Sequence, residues 1–312
     1  MKNKNIPFDI SPVLLFTFNR LSHLQKTINS LKKNHLSKRT ELIIFSDGPK
    51  DTKDTEKINQ VRKYISKIDG FKKIKIYKRK KNFGLSKNII LGINQVFKKF
   101  ESIIVIEDDL ILDKFFLNYM NEGLSFFKNN NSVASIHSYI YPIKFNKDID
   151  EYFFLKGSDC WGWATWKRAW KNFEIRGSKL KKIIDLNNLK EQFNFNNSYD
   201  YYQMLIDQIN GKNDSWAIRW YASTFVKNMY TLYPSKSFVK NIGTDGSGTH
   251  GGGKTGIFNN KNLRKNYVSI KSKKIELFEN YAAKKSIENY FNKNTDFFLK
   301  KIFKKIDKLK KL

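Results

Sequence analysis

What most constrains this chain is an alternation in its first third. Short apolar runs at Val13–Phe18, Glu41–Ser46, Lys73–Lys78 and Ser102–Ile106 are separated by longer stretches with apolar residues at helical spacing. These are Ser22–Lys33, read as opening on a serine cap, Glu56–Ile68, and Leu85–Phe100 with Ile89, Ile90, Ile93, Val96 and Phe97 on one face. Buried strands joined by connections long enough for a crossover helix predict an α/β fold, a parallel sheet covered on both faces. In such sheets the ligand sits outside the carboxyl ends of the strands. Asn19, Asp47 and Glu107–Asp109 each lie just past an expected strand end, so the pattern gathers them at one crevice.

The remainder is less regular. A strand is expected at Tyr152–Leu155, then a turn at Gly157–Trp163 entering a helix Ala164–Phe173. Asn187–Ile209 reads as mostly helical and Asp214–Asn228 as an apolar helix, followed by short strands at Thr231–Tyr233 and Ser237–Val239. Gly243–Gly256 is a glycine-rich loop. No internal repeat is evident, and the sharp composition shift falls near residue 270. This divides the chain into a domain 1–270 and a lysine-rich helical tail 271–312.

Charge alone does not choose a partner. The chain of 312 residues carries 59 Lys+Arg against 29 Asp+Glu, a net +30, while 40% hydrophobic and 15% aromatic residues exclude a disordered basic tail. Of the basic residues 51 are lysine and 8 arginine, whereas nucleic-acid readers lean on arginine for bidentate contacts. No nucleic-acid partner is expected. The one cysteine, Cys160, forms no internal disulfide and no zinc-ligand spacing is present, which fits a reducing compartment. There is no apolar run long enough to span a membrane. The apolar stretch at Pro12–Phe18 is short and runs into Asn19-Arg20 without a cleavage site, so a cytoplasmic protein without a signal peptide is expected.

The strongest chemical signal is Glu107-Asp108-Asp109 at the end of the run Ser102–Ile106. Three adjacent carboxylates repel one another unless a cation neutralises them, and hard divalent ions such as Mg2+ or Mn2+ take carboxylate oxygens while leaving sites for phosphate. The plain alternative is a solvated acidic loop. Asp47-Gly48 by itself reads equally well as a turn. Asn82-Phe83-Gly84-Leu85-Ser86-Lys87 is a glycine turn opening a helix, either an ordinary helix start or one whose N-terminus faces an anion.

In combination these segments resemble a glycosyltransferase of the GT-A fold. The resemblance rests on Thr17-Phe18-Asn19-Arg20 after the first strand, Asp47-Gly48 after the second, Asn82-x-Gly84 before a helix, and Glu107-Asp108-Asp109 in the place of a DxD-type metal motif. It covers roughly residues 10–255 and is most similar to the N-acetylglucosaminyltransferase I-like branch and bacterial family 2 surface-polysaccharide enzymes. The resemblance implies a Rossmann-like nucleotide-sugar half at 1–110 and an acceptor half at 111–270. It implies inverting transfer of a hexosyl or N-acetylhexosaminyl group from a nucleotide sugar, UDP-linked, to a glycan or lipid-linked acceptor. It places Thr17, Asn19, Arg20, Asp47, Asn82, Gly84, Lys87, Glu107 and Asp108 around the donor, with Asp47 near the base and Asp109 on the metal. His250 would ligate the metal or touch the diphosphate, unless it is only a loop histidine. An acid before a tryptophan-containing helix in the second half matches Asp214, which becomes the general base, with Asp200 and Asp207 in reserve; Asp214 also reads as a simple helix cap. Trp161, Gly162 and Trp163, with Trp166 nearby, resemble an acceptor-side loop where indole faces stack on sugars, although most tryptophans pack a core.

Two other features carry their own readings. Gly248–Thr255 satisfies the Walker A pattern, which raises a P-loop NTPase, yet no helical stripe follows and the acidic strand precedes it by some 140 residues. The tail places Leu299, Ile302, Phe303, Ile306, Leu309 and Leu312 at helical spacing among lysines, a pattern suited to an anionic membrane surface or to packing on a partner. The expected location is the cytoplasmic face of the inner membrane. A basic binding module for nucleic acid or anionic glycan is the non-enzyme alternative; it needs no metal and loses affinity steeply with salt.

Overall fold

The four apolar runs fold as strands because they have nowhere else to hide. In the computed structural model, which describes residues 9–246, 263–264, 266–273 and 275–294, β1 (Val13–Thr17) is buried along its whole length. It is followed by α1 (Leu21–Lys32), β2 (Glu41–Ser46), α2 (Thr52–Ile65), β3 (Lys73–Lys78), α3 (Leu85–Val96) and β4 (Ser102–Glu107). β1 pairs in parallel with β2 (Val13 opposite Leu42) and with β4 (Val13 opposite Ile104), and β2 pairs in parallel with β3. β3 is the edge of the sheet and alternates exposed lysines with half-buried isoleucines, which blunts the edge against pairing with another chain. α1 has no serine cap: its N-cap position is Arg20, whose side chain makes no capping bond because it is committed elsewhere.

The second half adds β5 (Leu110–Leu112), α4 (Phe116–Phe126), β6 (Val133–His137), β7 (Tyr152–Leu155), β8 (Trp163–Trp166), α5 (Lys167–Trp170), α6 (Gly177–Leu186), α7 (Lys190–Phe193), α8 (Tyr201–Ile209), α9 (Trp216–Val226), β9 (Tyr230–Pro234) and β10 (Val239–Asn241). A last helix, α10, runs over 281–294. The main sheet has eight strands among the described residues, in the order β3-β2-β1-β4-β8-β6-β9-β7, so it is mixed rather than all-parallel. β8 enters antiparallel between β4 and β6, with Ile104 opposite Ala164.

β8 is a correction to the helix expected at Ala164–Phe173, of which only Lys167–Trp170 is helical. Its four residues, Trp-Ala-Thr-Trp, are buried on both faces, and aromatic and β-branched side chains fit a pleated surface better than a helix. Here they cover β4, whose apolar edge would otherwise face solvent. β5 and β10 form a separate two-stranded antiparallel ribbon, Leu110 opposite Asn241, which brings the chain after β9 back beside the acidic turn.

Residues 270–273 and 275–294 pack on the domain. Ile270, Ala283, Ile287 and Phe291 are buried, and Lys156 N donates to the Glu279 carboxylate at 3.0 Å. No helix among the described residues is long and apolar enough to cross a membrane. The Walker-like segment 248–255, with His250 and Lys254, and the amphipathic stretch 299–312 lie outside the described residues.

Candidate active site

β4 and β1 are parallel neighbours with Phe16 opposite Glu107, so the three acids leave the sheet beside Thr17–Arg20. Asp108 turns inward. Its Oδ2 accepts from Thr17 Oγ1 at 2.9 Å and from Phe18 N at 3.2 Å, and its Oδ1 accepts from Arg20 Nη2 at 2.7 Å. Its backbone carbonyl accepts from Thr27 Oγ1 of α1 at 2.8 Å. Asp108 is therefore a staple that fixes the β1–α1 turn. The same Arg20 nitrogen donates to Asp109 Oδ2 at 2.7 Å. Ile242 N, just past β10, donates to the Asp109 carbonyl at 2.8 Å. Gly243 then passes so close that a Cβ there would lie 2.1 Å from Asp109 Oδ2, so a larger residue would have to displace that carboxylate.

One guanidinium faces three carboxylates, and the electrostatics record the imbalance. Burial, then the neighbouring Asp109 and Asp108 charges, push the Glu107 carboxyl up to about 8, with Arg20 offsetting only part. Burial and Asp108 likewise raise Asp109. Although burial opposes its charge, Arg20 is held above its ordinary value by Asp108 and Asp109. The donor set is all hard oxygen and its charge is under-compensated, so a divalent cation fits it in chemistry and sign. Among the described residues, however, no three His, Cys, Asp or Glu side chains form a ready cation cluster. Asp108 is already committed to Thr17, Phe18 and Arg20, which leaves Asp109 and Glu107 as the better-placed acids to hold an ion.

The opposite wall is built around Asp47. Its Oδ1 accepts from Gly48 N and Phe83 N, both at 2.9 Å, and its Oδ2 from Gly84 N at 3.0 Å. Burial raises its pKa and these backbone donors partly oppose the rise. Asn82 Nδ2 donates to the Gly48 carbonyl at 2.9 Å, and Gly84 has φ of 74° where α3 begins. The structure thus joins Asp47, Asn82 and Gly84 into one clamp. Asn19 is turned aside, donating to Asp54 of α2 at 2.7 Å, and Lys87 lies 5.3 Å from the centre of the Phe83 ring. Two arginines absent from the sequence reading complete this wall. Arg62 donates to the carbonyls of Asp47 and Arg79, at 3.2 and 2.6 Å, and Arg79 lies over Phe45 and Phe83.

Across β8 the loop Gly157–Trp163, expected to face the acceptor, opens into a cavity of about 180 Å3. Of the three residues expected there, Trp161 lines it. Gly162 shapes the turn, with φ of 68° and its carbonyl accepting from Ser138 N at 3.0 Å. Trp163 is 1% exposed and stacks on Trp216 at 5.2 Å, so it is core and offers no face to a ligand. Trp166 is likewise buried. The charged residue of the cavity is Asp159. Its two oxygens accept from Tyr141 OH at 3.0 Å and Tyr233 OH at 2.9 Å, and burial raises its pKa despite them. His137 Nε2 stands 3.6 Å from Asp159 Oδ2, and burial holds that imidazole neutral, down to about 3. Next in the chain, Cys160 is pushed well up by burial and by the charges of Glu107, Asp159 and Asp109, so the cavity and the acidic turn are electrostatic neighbours.

Asp214 has a different setting. Its side chain is 70% exposed and pairs with Arg219 at 3.3 Å, while Arg219 also donates to Ser86 at the start of α3. It is not the helix cap: Ser215 takes that role, accepting from Ile218 N at 3.2 Å. Asp200 caps α8, and Asp207 accepts from Gln203 at 3.0 Å, so both reserves have structural duties.

A sheet of this order, with an acidic turn at the end of a central strand and an aromatic cavity beside it, defines an α/β protein of the GT-A type. The chain belongs to glycosyl transferase family 2, whose model matches residues 13–190, more than half of its length. A search of curated proteins finds no match. Among solved structures it is similar to the mannosyltransferase PcManGT from Pyrobaculum calidifontis in complex with GDP-Man and Mn2+, at 11% identity over 44% of this chain and 39% of that one, TM-score 0.30. It is also similar to S. aureus TarS, at 16% identity over 47% and 24%, TM-score 0.31. A third is a UDP-glucose pyrophosphorylase complexed with UDP-glucose, at 11% identity over 75% and 94%, TM-score 0.37. The matched region is thus under half of the length of the first two.

Proposed function

We propose that the chain is a metal-dependent, inverting glycosyltransferase that moves a hexosyl or N-acetylhexosaminyl group from a UDP-sugar to a glycan or lipid-linked acceptor in surface-polysaccharide synthesis, within the N-acetylglucosaminyltransferase I-like branch. The observation that carries this reading is the acidic turn Glu107–Asp109, ion-paired to Arg20 and facing the carboxyl ends of β1, β2 and β4. The Asp47–Gly84 clamp borders the base end of the donor. Asp109, with Glu107, would hold Mn2+ or Mg2+, which when bound neutralises the charge of the leaving diphosphate. Thr17, Arg20 and Asp108 keep that turn in place rather than touch the donor.

Displacement at the sugar carbon also needs a base for the acceptor hydroxyl proton. Asp214 and Asp159 are the two candidates, and the geometry favours Asp159. It lies inside the cavity, near the acidic turn, with its carboxylate aimed by two tyrosine hydroxyls and its basicity raised by burial. A peripheral position on the cytoplasmic face of the membrane, through the 299–312 stretch, completes the proposal. The test is a thermal-shift panel of UDP-, GDP-, CMP- and dTDP-sugars with and without Mn2+. UDP-sugars are expected to stabilise the protein in a Mn2+-dependent way. No metal-dependent stabilisation by any donor would reject the reading.

A further inference from the structure

The cavity beside β8 is anomalous in charge. In a chain with 59 basic residues, none of the described residues lining it is lysine or arginine. Its walls are tyrosine, tryptophan, phenylalanine and aliphatic side chains, and Asp159 is the charged group among them. The tyrosine hydroxyls are neutral donors: Tyr141 and Tyr233 point to Asp159, and Tyr201 OH lies 3.2 Å from Tyr141 OH. Lys284 does lie against the Phe195 ring, but Glu279 holds its ammonium at 3.0 Å. One wall comes from α10, where Ile287 lines the cavity and Phe291 packs 4.8 Å from the Tyr141 ring and 4.9 Å from Tyr199.

We propose that this cavity binds a single uncharged sugar unit of the acceptor, apolar face against the tyrosines, and discriminates against phosphorylated or carboxylated units. This deepens the glycosyltransferase reading and rests on it for the word acceptor. Aromatic faces hold the C–H face of a pyranose by dispersion, and Asp159 accepts from its hydroxyls. An anionic unit would shed its hydration in the cavity and meet no lysine or arginine among the described lining residues, while standing near a carboxylate. The described lysines line other parts of the surface, so the rest of the acceptor is free to be anionic; the selection applies to the unit that enters.

The test uses the full chain without donor and reads binding by tryptophan fluorescence and by saturation-transfer NMR. The probes are methyl glycosides of a hexose, an N-acetylhexosamine, a uronic acid and a hexose 6-phosphate. At least one neutral glycoside is expected to bind roughly tenfold or more tightly than either anion, about 1.4 kcal/mol. Tyr199→Ala should weaken neutral binding several-fold and Tyr199→Phe should retain most of it. Met204→Lys, which adds a cation at the rim, should narrow the neutral-to-anionic ratio. Anionic glycosides binding as well as neutral ones, or no glycoside binding at all, would overturn the proposal. The donor panel is read separately, so loss of UDP-sugar binding would reject the transferase function without touching the neutral-over-anionic ratio.

Discussion

Removing the guanidinium of Arg20 tests the acidic turn directly. Arg20 Nη2 makes two charge-assisted bonds of 2.7 Å, to Asp108 and Asp109, with side-chain exposures of 19% for the arginine and 5% and 13% for the acids. In Arg20→Gln, Asp108 keeps Thr17 and Phe18 as donors, but Asp109 and Glu107 lose their offsetting charge. Breaking a buried pair by removing one partner costs about 3–5 kcal/mol, and the partial exposure of Arg20 argues for the lower end, about 3 kcal/mol. For a domain of this size that corresponds to a fall in Tm of roughly 6–12 °C.

The pH dependence identifies the cause. A carboxyl raised in the folded protein favours its protonated form there, so the stability it contributes is full below its ordinary value and is lost as pH rises through the folded one. For Glu107 that window runs from 4.5 up to about 8, and Asp109 moves in the same direction. The difference in Tm between Arg20→Gln and the parent protein should therefore be large at pH 8 and less than half as large at pH 5. Differential scanning fluorimetry at both pH values, with and without Mn2+, measures it. At pH 8 Mn2+ should restore part of the loss, since it supplies the missing charge. A loss equal at pH 5 and pH 8 and indifferent to Mn2+ would refute the electrostatic argument and leave Arg20 as packing bulk.

Two further substitutions probe the walls. Asp159→Asn should lower kcat by about 10²–10⁴-fold with donor affinity kept, while Asp214→Asn stays within about tenfold of the parent; the reverse order in steady-state kinetics would move the base to Asp214. Gly48→Ala would place a Cβ 2.4 Å from the Lys81 carbonyl carbon, backbone that has no rotamer to escape into. It should cost about 1–3 kcal/mol in a urea melt and weaken nucleotide-sugar binding, because the Asp47–Gly84 clamp is displaced with it.

The first half of the fold was legible because its signals are local. β1, β2, β3 and β4 are each a contiguous apolar or alternating run, and the acids of the turn follow directly on β4. What was not legible depends on residues far apart in the chain. Asp159 reads as one acid in a glycine turn, and it gains meaning only when Tyr141, 18 residues earlier, and Tyr233, 74 later, close on it. The available signal was weak: a lone acid in an aromatic stretch between two strands. β8 escapes the sequence pattern because a four-residue strand between two antiparallel neighbours is too short to show its period. Arg62 and Arg79 look like surface cations on α2 and after β3, yet each is drawn inward by backbone or side-chain acceptors that only the folded crevice provides.

The arginines also settle how the net charge of +30 should be understood. Six of the eight act within the fold. Arg20 bridges two carboxylates, Arg62 takes two carbonyls, and Arg79 joins Asn88 and two aromatic rings. Arg168 takes the carbonyls of Lys128, Val133 and Phe127, Arg219 ties α9 to Ser86, and Arg264 pairs with Glu151. A planar group with five donors suits such multi-point closure, whereas a lysine presents one compact charge. The side chains best able to read phosphates or bases are thus spent on architecture, and the surplus positive charge is carried by lysines. Specificity then has to come from the few groups that are neither: the acids at the end of β4, and an aromatic cavity with no lysine or arginine among its described lining residues.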